Sequence, residues 1–573
     1  MPNAHDAMLK DVSLDAPWEL VEAFAKQPRW KPRDVNKGAD MIVKRLQKLG
    51  VPVSTLDADI YLSIPFEAEV KIGRRAIRAK TPSYSVSVPD GVKGELLYAP
   101  AKYSASIGTL FQKNQKAIAA EDIKGKIVIS EGFAFPQKMR EFEMAGAVGV
   151  IAVNPGVDIH WGICTSIWGT PDLDDLPRKP NIPVAIVNNP DGKELIALAG
   201  TGKKITLTTR LEEGWYKQKI PVVEIPGASE PDKFVLLHGH YDSWDVGVGD
   251  NATGDATLLE IARVLSKHQK ELKRSVRIAW WPGHSTGRYA GSTWFADAFA
   301  LDLDENCVAQ INCDSPGCRW ATEFKDVSWM KETESFAQRV IKEISGLESH
   351  GERPHRAGDY SFNNIGLSSL MMLSSTMPDD LRAKKGYYTV GGCGGNIAWH
   401  TENDVMAIAD REILLRDMKV YLGLVAGVAD AEVLPFDWRA QVGEFVDTIS
   451  QYQAAAGKAF DLSPSLAAAN ALGETLDAFY RAIGKGAIKP VAANAAIQRL
   501  ARILVPINYT RGPRFRHDPA TPIPALPTIA TAMDLKGLDK VTLGFAKTQL
   551  TRGQTRLIAA LREAGEVATR AMG

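Results

Sequence analysis

The sequence is short of several things that would each have pointed to a particular class of protein. Five cysteines among 573 residues, with no CxxC pair, argue against a disulfide framework and against a cysteine-built zinc site. No apolar run approaches the ~20 residues that a membrane-spanning helix needs. Charge of one sign is not in excess: Lys+Arg and Asp+Glu both total 68, so no global attraction to nucleic acid or to an acidic membrane is expected. The opening stretch "MPNAHDAMLKDVSLDAPWELVEAF" has no basic-then-apolar pattern, and the expected location is the cytoplasm with reduced thiols. Internal repeats and long low-complexity segments are also missing.

What remains is the composition of a globular enzyme-sized chain, 45% hydrophobic and 24% charged. A chain of this length exceeds one core, so several domains are expected. Residues 17–49 carry helical patterning in "APWELVEAFAKQ" and "DMIVKRLQKLG", and "AEVKIGRRAI" and "YSVSV" alternate as strands do. From about residue 94, "GKIVIS", "KMREFEMAGAVGVIAVN" and "IPVAIVNN" read as short buried strands around a helix. Residues 216–435 alternate apolar strands with helices. The helix between the first two strands has an apolar face through Leu258, Leu259, Ile261, Ala262 and Leu265. Such alternation predicts an α/β domain whose mixed sheet is covered by helices on both faces. Residues 436–573 are rich in Ala and Leu at helical spacing, broken by "RGPRFRHDPATPIPALP".

The chemistry-bearing residues fall where apolar strands end, which is where α/β folds place their sites. "KFVLLHGHYDS" ends on His240 and Asp242, and Asp250 follows in a glycine-rich loop. "CVAQINCDS" ends on Asp314, and "AWHTENDV" supplies His400. An imidazole and several carboxylates at the ends of successive strands suit a divalent cation with mixed N and O ligands. Any one of them alone reads as a loop, cap or core residue.

The whole pattern resembles the zinc-dependent aminopeptidase and glutamate carboxypeptidase family, in its transferrin-receptor-like branch. The resemblance is carried by "APWELVEAF", by the protease-associated pattern "IKGKIVI…MREFEMAGAVGVIAVN", by "GHYDSWDVGVGDNATGDATLLEIARVL" and by "ILVPINYTRGPRFRHDPATP". It implies a metallopeptidase-like mixed sheet sandwiched by helices, an inserted β-rich protease-associated domain and a C-terminal helical domain. The boundaries expected are 1–93, 94–215, 216–435 and 436–573, the last of these a dimerisation domain. It further implies that His240 and Asp314 hold one metal, that Asp250 bridges to a second and that His400 ligates the second. Asp242 would orient a ligating histidine, and Asp359 in "HRAGDYSF" would line the pocket or support it. The cofactor implied is zinc or another divalent ion, one tightly held and a second uncertain. The partners implied are a small-molecule or short peptide substrate and a second copy of the chain, with no nucleic acid and no membrane.

One stretch departs from the family pattern W-D-A-E-E-x-G. Here it reads "WPGHSTG"; aligned on Trp281 and Gly287, the resemblance puts His284 at the glutamate that carries the proton and Ser285 at the glutamate that binds metal, a one-residue slip would put Ser285 and Thr286 there, and neither register restores a carboxylate. A histidine, with an ordinary pKa of about 6.5, can relay protons in glutamate's place or serve as a ligand. Both roles are open to His284. Arg288, Tyr289, Arg319 and Trp161 are the further candidates for substrate contact. The reading is a metal-dependent hydrolase of a peptide or small amide with an altered base. A metal-dependent lyase, deaminase or cyclase and a non-catalytic binding protein are the alternatives.

Overall fold

The computed structural model describes residues 5–110 and 118–573; residues 1–4 and 111–117, within the first segment and the insert expected above, lie outside it. The architecture is mixed α/β, with one large sheet, helices against it and a helical C-terminal region. The strand Glu230–His240 lies between Arg274–Trp281 and Cys307–Asn312, all three parallel, with the short Ser369–Leu370 parallel at the edge. Glu230–His240 is buried without interruption from Phe234 to His240, as a strand covered on both faces should be. One cover is the helix Thr253–Lys267, whose Leu258, Leu259, Ile261, Ala262 and Leu265 are all buried.

On the other side of Arg274–Trp281 runs the long strand Lys204–Ile225, antiparallel to it. That strand continues past the core and pairs with Ser54–Ile72 and with Val88–Tyr98. From Val88–Tyr98 the sheet extends through the parallel strands Ile127–Glu131, Gly149–Val153 and Val184–Val187. The β-rich segment is thus joined to the core by continuous sheet. Four helices, Trp438–Ala456, Ser463–Gly484, Pro490–Tyr509 and Lys540–Met572, form most of the C-terminal region. They bury Phe445, Leu476, Phe479, Leu500, Leu557 and Leu561 against one another.

"YSVSV" differs from its strand-like pattern. Only Val88 begins a strand, and Tyr84 has φ +65°. Its hydrogen bonds go to loops instead: Ser83 N–H donates to the Gly162 carbonyl and Val86 N–H to that of Ile182. All five cysteines are buried and unpaired. No helix among the described residues is long and apolar enough to cross a membrane.

Candidate metal centre and active site

The carboxyl ends of the three parallel strands converge on one cavity. His240 ends the first, the turn after Trp281 presents His284, and Asp314 follows Asn312. Asp250 arrives on the loop that leads into the helix Thr253–Lys267, and His400 on a turn well before the helix Arg411–Ala429. Asp250, His284, Asp314 and His400 all line the cavity, which has largely apolar walls.

The two candidate ligand histidines are aimed by main-chain carbonyls. His240 Nδ1 lies 2.9 Å from the Asp242 carbonyl oxygen, and His400 Nδ1 lies 3.1 Å from that of Trp161. A carbonyl only accepts, so each Nδ1 carries its proton and each Nε2 is turned toward carboxylates. His240 Nε2 sits 3.0 Å from Asp250 Oδ1 and 3.6 Å from Asp314 Oδ2, yet it is buried with no hydrogen-bond partner of proper geometry. His400 Nε2 sits 3.2 Å from Asp250 Oδ2. Asp250 therefore offers one oxygen to each histidine, the disposition of a bridging carboxylate.

The electrostatics follow from this crowding. Burial would lower His240's affinity for a proton, but Asp250 and Asp314 more than offset that and raise it well above the ordinary histidine value. Burial would raise the Asp250 carboxyl, while His240 and His400 hold it well below the usual range. The cluster is a buried concentration of negative charge that calls for a cation. An orphaned imidazole nitrogen among carboxylate oxygens is the donor set that zinc takes. His240, Asp314 and His284 each present a ligand atom within 4.8 Å of the other two.

The turn after Trp281 is wound tightly on itself. Gly283 has φ +68°, and a Cβ there would meet Leu62 and Ile60 at about 3 Å. Ala290 N–H donates to the Gly283 carbonyl and Tyr289 N–H to that of His284. The Asp242 carboxylate pins the turn from below, accepting the main-chain N–H groups of His284 at 3.0 Å and Ser285 at 3.1 Å. It stands 3.9 Å from His240 Nδ1, so the loop carbonyl of Asp242 rather than its carboxylate meets that ring. Ser285 is buried in the turn.

His284 is gripped from the other side. Its Nδ1 lies 2.8 Å from Asp359 Oδ2 and its ring stacks on that of His240 with centroids 3.8 Å apart. Asp359 is fully buried, and its second oxygen accepts from the Ser292 hydroxyl at 2.7 Å. Burial would raise the Asp359 carboxyl, but His284 and the Ser292 bond hold it below its ordinary value. Ser292 and Ser361 share a further bond, and Trp168 Nε1–H donates to Ser361.

Tyr289, Arg288 and Trp161 line the cavity as well. Trp161 stacks on Trp244, and its indole N–H donates to Asp245. Arg319 is exposed and does not line the cavity; its main-chain N–H donates to the Ile408 carbonyl. One participant has no sequence signature. Asp404 accepts the N–H groups of Gly249 and Asp250 at 2.7 and 3.0 Å and so fixes the Asp250 loop; burial pushes its carboxyl up to about 7. His160 docks the insert on the core, its ring nitrogens against the Trp399 carbonyl and the Tyr388 hydroxyl.

Residues 222–425 match peptidase family M28, and residues 92–195 match the PA domain. The aminopeptidase NAALADL1 of Mus musculus is 38% identical over 120 residues, 20% of this chain and 16% of that protein. The glutamate carboxypeptidase 2 homolog of Caenorhabditis briggsae is 31% identical over 391 residues, 52% of this chain and 50% of that protein. The chain thus spans half or less of the length of these relatives. Among solved structures, BSAP, a zinc aminopeptidase from Bacillus subtilis, superposes with a TM-score of 0.53 at 20% identity, over 72% of this chain and 92% of that one. At that identity the likeness is one of fold.

Proposed function

From the M28 peptidase domain that this chain carries over residues 222–425, behind a PA domain, we propose a metal-dependent hydrolase of peptide or small-amide bonds. Its proton carrier is His284 in place of a glutamate. The observation that carries this reading is the His284–Asp359 pair beside the ligand cluster, 2.8 Å between Nδ1 and Oδ2. His240 and Asp314 would hold one zinc ion, with Asp250 bridging toward a more weakly held second ion at His400. When bound, such an ion supplies Lewis acidity toward an amide carbonyl and makes water more acidic.

The chain's own residues do the remainder. Asp359 accepts the Nδ1 proton of His284, so Nε2 is the basic nitrogen. Nε2 takes the proton of the attacking water and returns it to the leaving amine. Asp359 stabilises the imidazolium that exists between those events, and Ser292 keeps Asp359 in place. Asp242 fixes the turn that carries His284, and Asp404 fixes the loop that carries Asp250.

A second reading is favoured by a specific distance. The 4.8 Å convergence of His240, His284 and Asp314 would also let His284 act as a ligand. Metal analysis of His284→Ala separates the two roles: unchanged zinc with lost turnover marks a base, and lost zinc marks a ligand. A panel of dipeptides and N-acyl amino acids tests hydrolysis itself. Zinc-loaded protein that cleaves none of them would point instead to lyase, deaminase or cyclase chemistry.

The same proposal includes a cytoplasmic homodimer. Five buried, unpaired cysteines support a reducing compartment. The exposed Phe545, Val541 and Met533 of the C-terminal region support association through that region. Light scattering that returns a monomer mass at micromolar concentration would remove the dimer from it.

A further inference from the structure

We infer that Arg288 is the anchor for a carboxylate carried by the substrate, so that the cavity selects amides whose amine portion is an amino acid with a free carboxyl group. The inference rests on the hydrolase reading for the reaction and on the following geometry for the anchor.

Arg288 lines the cavity together with Asp250, His284, Asp314 and His400, and is only 5% exposed. Five arginines among the described residues are this buried: Arg29, Arg274, Arg288, Arg356 and Arg502. The other four are tied to main-chain carbonyls. Arg29 donates to the carbonyls of Tyr241, Phe24, Gln27, Val246 and Gly247. Arg502 donates to those of Asp304, Gly366, Leu303 and Cys307. Arg274 reaches the carbonyls of Val428 and Ala431, and Arg356 those of Pro519 and Asp518. The Arg288 side chain makes none of these bonds. Its Nε is buried with no partner, and its guanidinium touches the Tyr289 ring, 4.7 Å from the centroid. A buried guanidinium without hydrogen-bond partners is costly, and each of the other four buried arginines has such partners.

The backbone is strained to put the side chain there. Arg288 and Tyr289 are consecutive non-glycine residues at φ +47° and +70°. Each left-handed residue costs about 1–2 kcal/mol. Hydrogen bonds hold the pair, among them Gly169 N–H to the Arg288 carbonyl, Tyr289 N–H to the His284 carbonyl, Thr293 N–H to the Tyr289 carbonyl and Gly358 N–H to the Tyr289 hydroxyl. The planar guanidinium fork matches a carboxylate with two parallel bonds. Elsewhere the cavity presents Phe133, Phe135, Ile163, Met372, Leu373 and Trp399, which suit an apolar side chain or acyl group. The ligand cluster at one end and a single unpaired cation at another define a substrate with an amide and a carboxylate on an apolar frame.

The test has a binding arm and a kinetic arm. In the binding arm, 3-phenylpropanoate and 3-phenylpropanamide are titrated calorimetrically into zinc-loaded and chelator-stripped protein, wild type and Arg288→Gln. The expected result is acid binding at least about tenfold tighter than amide binding in both forms of the wild type, with the preference collapsing in the variant. Acid binding that vanishes with the zinc, or that Arg288→Gln leaves unchanged, overturns the inference. In the kinetic arm, N-acetylphenylalanine is compared with N-acetylphenylalaninamide. Arg288→Gln is expected to narrow the acid-over-amide ratio of kcat/KM by about 100-fold, mainly through KM. If neither is cleaved but the acid still needs Arg288 to bind, the hydrolase reading falls and the anchor stands. If both are cleaved with no preference in the wild type, the hydrolase reading stands and the anchor falls. Arg288→Lys keeps the charge and should retain part of the preference; should neither variant fold, the wild-type comparison of acid with amide decides.

Discussion

The floor and the roof of the cavity are made of different chemistry. The floor comes from loops at the ends of parallel strands, which carry Asp250, His284 and Asp314 above the buried His240, and from the turn that carries His400. The roof comes from the PA domain and contributes Phe133, Ala134, Phe135, Trp161, Gly162 and Ile163, none of them ionisable. Groups that must hold a cation or pass a proton need positions fixed to fractions of an ångström, and buried strand ends provide that. Groups that select a substrate by shape can sit on an inserted module. Within the floor there is a second contrast: carbonyls orient His240 and His400, whereas a carboxylate orients His284. The carbonyl fixes a tautomer without adding charge; the carboxylate fixes it and places a negative charge beside the ring.

The sharpest way to break the contrast is to remove a floor ligand. Asp250→Ala should strip most of the zinc and lower kcat/KM on the order of 10³-fold or more, read by metal analysis and kinetics. Asp359→Asn comes next. It should lower kcat by about 10²–10³-fold, leave zinc content unchanged and alter the pH–rate profile, which a merely structural residue would not move. Asp404→Asn should weaken zinc binding by about 10–100-fold, measured by competition with a chelator. Phe135→Ala tests the roof, with KM expected to rise about tenfold at nearly constant kcat. A fall in kcat equal to that of Asp359→Asn would erase the division between roof and floor.

The smallest expected effect concerns the roof's stability. Lys138 is buried beneath the Phe133–Phe135 loop, and burial lowers its pKa to about 7; its ammonium donates to the Glu131 carbonyl. Between about 7 and the ordinary lysine value of about 10.4, the folded protein holds fewer protons on Lys138 than the unfolded chain does. Stability should therefore climb as pH rises through that window, by no more than about 1.4 kcal/mol per pH unit. Lys138→Met should flatten this slope in denaturant titrations at pH 7, 8 and 9, and an unchanged slope would assign it to other groups.

Much of the fold is legible in the sequence because burial on both faces leaves a mark. The runs ending in His240 and Asp314 are apolar enough to read as covered strands, and glycine turns mark their ends. The alternation in "YSVSV" misleads because Pro82 interrupts the pairing potential and nearby loops take up the hydrogen bonds instead. Nearness in sequence misleads at Arg319, five residues beyond Asp314. Ser315 and Gly317, at φ +53° and +68°, turn the chain, and Arg319 ends on the surface. At Asp242 the spacing announces proximity to His240, but it does not say which oxygen meets the ring. The hold of Trp161 on His400 leaves no trace at all, since every residue has a carbonyl.

That carbonyl ties the aim of His400 to the docking of the roof on the core. Lifting the PA domain from the core would take away the acceptor that orients His400, and the freed ring would lose its aim at Asp250. Were an ion held through His400, whatever free energy it gained from the aligned ring would be matched by an equal stabilisation of the docked insert.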